Sequence, residues 1–348
     1  MEAQEKKEQN GKRRGKQSIA YEHPVYINAS ASVAGKKEGE GPLGGLIDVI
    51  GEDDLFGSNT WEEAESSLQK DAVYLAMSKA GLENNEIQYL FAGDLLGQSI
   101  ATSFGIMAFD IPLFGLYGAC STCGESLSLG SAMIDGGFAK NVVCVTSSHF
   151  ASAEKEFRNP LAYGSQRPLS ASWTVTGSGA FVLGREAGEQ ARAKITGITT
   201  GKIVDYGLKD SMNMGCCMAP AACNVIYQNL LDFGRMPSDY DRIITGDLGS
   251  IGQRALIDLL AEKGYDISEK HMDCGMRIYD ADRQDTHAGG SGCGCAAVTL
   301  SSYILKQIEE KKWKRVLFVP TGALMSKISF NEGKTVPGIA HGVVIEGL

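Results

Sequence analysis

The stretch Gly118-Ala119-Cys120-Ser121-Thr122-Cys123-Gly124-Glu125-Ser126-Leu127 decides how the rest of the chain is read. A short apolar run at 111–117 precedes it and is bounded like a buried strand. A helical pattern of mostly small residues follows and stops at Gly136-Gly137. Strand, sharp turn and helix in that order set Cys120 at a helix N-terminus, where unpaired N–H groups and the dipole favour a thiolate or a bound anion. The same cysteine would also fit a tight turn as a small apolar residue. What favours the first reading is that the chain repeats this arrangement.

Upstream, residues 87–95 read as a strand ending in Gly93-Asp94-Leu95. Before it, 61–81 reads as a helix opened by Thr60, with Glu62 and Glu63 in its first turn. Downstream, 142–148 reads as a strand ending at His149, and 150–172 as a long loop carrying Lys155, Arg158, Tyr163, Gln166 and Arg167. A strand entered through glycines, 177–184, completes the set. The second half replays it: a strand at 194–204, a helix at 220–233, and a strand at 242–248 that again ends in Gly246-Asp247-Leu248. After a helix at 251–263, His287-Ala-Gly-Gly-Ser-Gly-Cys-Gly-Cys295 opens a helix running to about residue 311, and strands follow at 315–322 and 340–347. This is an internal duplication with halves at 18–190 and 191–348, each a βα set whose sheet needs cover on both faces. The helices after Cys120 and Gly292 are rich in small residues and suit a shared central layer. Ligands in such sheets gather at the carboxyl ends of strands, so Cys120, Asp247 and His287 are expected to converge. Asp94, the counterpart of Asp247, is expected to tie its strand end or a dimer.

Bulk properties agree. With 348 residues, 43% apolar, 43 glycines and only 9 prolines, the chain suits a large α/β protein with close helix packing. A formal charge of −9 argues against an electrostatic nucleic-acid binder. Nine cysteines without regular spacing are expected as reduced thiols inside a cell, with Cys216, Cys217, Cys293 and Cys295 as packing residues. Cys120-x-x-Cys123 has no partner pair at zinc spacing, so no metal site is expected. No apolar run approaches the roughly 20 residues that cross a bilayer. Residues 1–17 read as a charged, disordered tail whose Lys12, Arg13, Arg14 and Lys16 either meet an anionic membrane surface or stay solvated.

The order of landmarks resembles the thiolase and ketoacyl-synthase superfamily, which implies a thiolase-like five-layer αβαβα fold of two duplicated halves and a homodimer. In that family Cys120 would be the acylated nucleophile, with an oxyanion hole made by its own N–H and one from the glycine-rich strand. Asp247 stands where the synthases carry a histidine, and the second polar position falls at or near His287. A carboxylate with an ordinary pKa of about 3.9 cannot donate to a thioester oxygen and repels an oxyanion, so decarboxylative condensation is poorly served.

From about Gly15 to the C-terminus the chain resembles the stage V sporulation protein AD family. The shared strings include Tyr21-Glu-His-Pro24, Gly118-Ala-Cys-Ser-Thr122, Thr245-Gly-Asp-Leu248 and Ala288-Gly-Gly-Ser-Gly-Cys293. That resemblance implies a non-catalytic protein that binds dipicolinic acid, alone or as its calcium chelate. It would act with the other SpoVA proteins, a membrane channel, in dipicolinate uptake during sporulation. Such a protein would be intracellular, peripheral on the forespore or spore inner membrane, and without a resident cofactor. The alternative is an active acyltransferase using Cys120. The expected ligand contacts are Cys120, Ser121 and Thr122 at the helix start, with His149 and Arg158 as donors to a carboxylate. Asp247 would face calcium or a protonated ring nitrogen. His287 is either a direct contact or a structural histidine.

Overall fold

The structure, a computed structural model, describes residues 12–157 and 167–348. The first half supplies β1 (Ser18–Ala34), α1 (Trp61–Ala80), β2 (Tyr89–Gly93), α2 (Ile100–Ile106), β3 (Leu113–Gly115), α3 (Thr122–Asp135), β4 (Asn141–Ser148), α4 (Phe150–Phe157) and β5 (Gly177–Gly184). The second supplies β6 (Ala193–Thr199), α5 (Met214–Phe233), β7 (Arg242–Thr245), α6 (Gly249–Ala261), β8 (His271–Asp273), α7 (Cys293–Thr299), β9 (Arg315–Val319) and β10 (Gly342–Glu346).

The sheet order is β8-β7-β9-β10-β6-β1-β5-β4-β2-β3. Read outward from the β1–β6 junction, each half runs first, fifth, fourth, second, third strand. The senses match as well: β2 is parallel to β3 and β4, and β7 to β8 and β9, while β4–β5 and β9–β10 are antiparallel. The duplication expected from Gly-Asp-Leu is therefore present strand by strand, and β1 pairs with β6 to join the halves.

Alternation along the strands separates the layers. Val142 and Cys144 of β4, Phe181 and Leu183 of β5, Val316 and Phe318 of β9, and Val343 and Ile345 of β10 share one central core with α3 and α7. Their neighbours turn outward. Val143, Val145, Ala180 and Val182 pack beneath α1, and Leu317, Val319 and Val344 beneath α5 and α6. Helix, sheet, helices, sheet, helix is the five-layer arrangement.

Small residues close the central layer. A Cβ on Gly179 of β5 would stand 2.6 Å from the Ala297 carbonyl carbon of α7, and one on Gly130 of α3 would stand 2.6 Å from the Cys144 sulfur. No side chain larger than hydrogen fits there.

Several expectations are corrected. Residues 12–17 are not part of a disordered tail: Arg13–Arg14 pairs antiparallel with Ser18 and Ile19, and residues 1–11 lie outside the described set. The apolar run before the elbow is an exposed edge strand, because β3 ends the sheet and has a neighbour on one side only. The supposed loop at 150–172 begins as the helix α4. The helix expected from His287 starts instead at Cys293 and passes through a π-turn at Leu300–Ile304. Among the described residues no helix is long and apolar enough to cross a membrane.

Candidate ligand site

The elbow braces itself. Ala119 sits in the left-handed region at φ 49°, a strained conformation for a residue with a Cβ, and this turns the chain from β3 into α3. Ser121 Oγ donates to the Gly118 carbonyl at 2.7 Å, and Thr122 Oγ1 donates to the Ala119 carbonyl at 2.6 Å while accepting from Gly118 N–H at 3.0 Å. Both hydroxyls are fully buried and spent on the turn, so Ser121 and Thr122 position Cys120 and do not face a ligand.

Cys120 meets Asp247, as the duplication requires. The Asp247 carboxyl hydrogen-bonds the Cys120 side chain, accepts from Gly292 N–H at 2.9 Å and from Thr321 Oγ1 at 2.8 Å. Burial pushes this carboxyl up to about 7, and those three hydrogen bonds pull against the rise without cancelling it. The ordinary carboxylate pKa on which the sequence reading rests does not hold here: near neutrality Asp247 is partly protonated, and in that form its O–H can donate.

The other expected residues lie elsewhere. His287 does not reach Cys120. Its Nδ1 lies 2.9 Å from the Pro168 carbonyl and its Nε2 lies 3.1 Å from Asp285. Left-handed backbone at Asp285, His287, Gly289 and Gly292 coils the segment, so the residue delivered to the site is Ser291. His149 accepts from Ala151 N–H at Nδ1, which leaves Nε2–H to donate to the Asp54 carbonyl at 2.7 Å. Burial holds it neutral by lowering its pKa, so His149 is a structural residue and no cation. Arg158 lies outside the described residues. Arg167, from the same segment, is buried, stacks over Trp173 and donates to the Asp285 carbonyl. Asp94 ties its strand end as expected, accepting from Leu96 N–H, Thr102 N–H and Thr102 Oγ1.

The cavity at Cys120 measures about 30 Å³ and is lined by Cys120, Glu154, Phe157, Thr174, Met214, Ser291 and Met325 among others. That volume holds roughly one or two water molecules. Thr174 and Ser291 arrive as a pair, in register on two short parallel strands. The repeat pattern did not reveal them, because they come from the segments that differ between the halves. Phe157 and the two methionines are the bulkiest side chains of this lining. Among the described residues no histidine lines this cavity, and no cluster of three or more His, Cys, Asp or Glu side chains is placed to hold a metal ion. Cys293 and Cys295 are fully buried thiols whose sulfurs bond the Ser147 and Gly246 carbonyls, the packing role expected of them.

The profile of a family described as Stage V sporulation protein AD (SpoVAD) matches residues 15–346. A Bacillus subtilis (strain 168) protein of that name is 45% identical over 332 residues, covering 95% of this chain and 97% of the relative. The chain belongs to the stage V sporulation protein AD family. Its role is accordingly in sporulation.

Solved structures place the fold. A 3-oxoacyl-[acyl-carrier-protein] synthase III from Aquifex aeolicus VF5 overlays with a TM-score of 0.56 at 16% identity, covering 92% of this chain and 99% of the other. A human mitochondrial 3-ketoacyl-CoA thiolase in complex with CoA overlays at 0.56 with 14% identity, covering 94% and 99%. The family therefore carries a thiolase-like fold.

Proposed function

We propose that this protein binds dipicolinate at the Cys120–Asp247 pocket without performing acyl transfer. It acts with the SpoVA channel in dipicolinate uptake, as a homodimer on the inner membrane of the forespore. The observation that carries this reading is Asp247 itself, buried behind Cys120 and hydrogen-bonded to it, while among the described residues no histidine lines the Cys120 cavity. Condensing chemistry needs groups that donate to a thioester oxygen and leave its developing charge unopposed. An aspartate near half-ionisation does so only in its protonated state. The same protonated carboxyl is a good donor to a ligand carboxylate that reaches past Cys120, and Thr174 and Ser291 add small polar groups to the lining of the Cys120 cavity.

Entry requires Phe157, Met214 and Met325 to swing aside, and methionine repacks at little cost. Calcium, where it accompanies the ligand, arrives as its chelate and meets Glu154, the carboxylate that lines the cavity. The exposed edge strand β3, with Leu113 and Phe114 open to solvent and Tyr117 exposed just beyond it, supports the dimer, because an unpaired apolar edge is a template for a second copy.

A second reading has one observation behind it. A carboxyl with a pKa of about 7 touching Cys120 could accept the thiol proton and activate the sulfur for acylation. Calorimetry with dipicolinate, with and without calcium, combined with intact-mass measurement after exposure to acyl-CoA thioesters, separates the two. Saturable heat and no mass adduct are expected. An adduct that Cys120→Ala abolishes, with no heat from dipicolinate, would reverse the assignment.

A further inference from the structure

A hollow of about 690 Å³ opens between the turn at residues 12–17, the C-terminal end of α3 and the segment leaving β6. It shares no lining residue with the cavity at Cys120. Its floor is apolar, formed by Ile19, Tyr21 and Ala132, and its rim carries Lys12, Arg13, Lys16 and Lys202. Asp135 is the one carboxylate among the lining residues, and its Oδ2 lies 2.9 Å from Lys12 Nζ. Lys12 is thereby neutralised. Among the described residues Arg13, Lys16 and Lys202 have no carboxylate partner in the lining, and even with Asp232 behind the turn at Lys16 and Gln17 the concavity keeps a surplus of positive charge in a chain whose net charge is −9.

The backbone holds this rim in place. Asp232, at the end of α5, accepts from Lys16 N–H and Gln17 N–H, both at 2.9 Å. Thr200 N–H donates to the Gln17 carbonyl at 2.9 Å, and Ala20 N–H to the Lys12 carbonyl at 2.8 Å. Two distant stretches of sequence are thus stitched together so that their cations face one hollow. A surplus of like charge raises the local positive potential, and a concave apolar floor focuses it. The volume is in the range of small-molecule pockets.

We propose that this hollow is a second binding site, for a small organic anion whose carboxylate or phosphate oxygens meet Arg13, Lys16 and Lys202 and whose apolar body rests on Ile19, Tyr21 and Ala132. The site is independent of the pocket at Cys120 and stands whether or not that pocket takes dipicolinate. Calorimetric titrations with isophthalate, phenyl phosphate and inorganic phosphate test it, on the parent protein, on Lys16→Glu/Lys202→Glu and on Cys120→Ala. Both lysines are exposed, and matching melting curves confirm that the double variant is folded. Expected is saturable binding of at least one aryl anion that weakens with added salt, persists in Cys120→Ala, and falls by about tenfold or more in the double reversal. Which aryl anion binds more tightly identifies the oxyanion. The proposal is overturned by any of three outcomes: no saturable binding of any probe, equal affinity in the double variant, or inorganic phosphate binding as well as the aryl anions.

Discussion

Dipicolinate should bind about tenfold more weakly at pH 8 than at pH 6, and Asp247→Asn should erase that difference. The sign follows from the site. Burial raises the Asp247 carboxyl to about 7, so it is mostly protonated at the lower pH and mostly ionised at the higher. Only the protonated form donates to a ligand carboxylate, and the ionised form repels it. Apparent affinity scales with the competent fraction, which drops about tenfold over that interval for a single group of this pKa. Asparagine keeps two of the three hydrogen bonds, one of them reversed: its Oδ1 can accept from Gly292 N–H, and its Nδ2 can donate to Thr321 Oγ1, which donates to Asp247 in the parent. Calorimetry on both proteins across pH 6 to 8 reads the effect. The variant is essential because Glu38, also raised to about 7 by burial, titrates in the same window. A pH dependence that survives in Asp247→Asn would place the responsible group elsewhere.

Gly322→Ala should be among the most damaging single substitutions in the chain. Gly322 lies on the short strand Thr321–Ala323, which passes directly against the elbow. An added Cβ would stand 2.3 Å from the Gly118 carbonyl oxygen and 2.9 Å from Ser121 N. Those are backbone atoms already committed to the turn, so no side-chain rotation relieves the overlap. Overpacking of this kind costs about 3 kcal/mol. The displaced elbow would also pull Cys120 from Asp247 and abolish ligand binding. Gly45→Ala is the control, since its Cβ would meet nothing within 4 Å. Chemical denaturation should show the first variant strongly destabilised and the second within about 0.5 kcal/mol of the parent. Equal stability of the two would mean that the close approach of strand and elbow is absent.

The fold was readable because duplication is a pattern, and a pattern survives uncertainty about any one element. Gly93-Asp94-Leu95 and Gly246-Asp247-Leu248 marked equivalent strand ends, and the two halves share strand order and sense. The meeting of Cys120 with Asp247 followed from that symmetry. His287 did not follow, because its direction depends on a run of left-handed residues that sequence spacing cannot count. Ser121 and Thr122 looked like ligand contacts from position alone, yet a sharp turn needs donors of its own and consumed both. His149 sat at the right strand end but is occupied by the Asp54 carbonyl, a partner 95 residues away in sequence. Glu154 was hidden for a different reason: a charged, helix-compatible stretch before residue 158 reads as a loop until its buried face is known. The pKa of Asp247 depends on burial among residues from three separate segments, which no local motif encodes.

A crystal of the protein soaked with dipicolinate tests the central claim most directly. Expected is ligand density beside Cys120, with one carboxylate within hydrogen-bonding distance of Asp247 and with Phe157, Met214 and Met325 displaced to make room for it. Density confined to the basic hollow near Lys16 and Lys202, with the Cys120 cavity still closed, would contradict it.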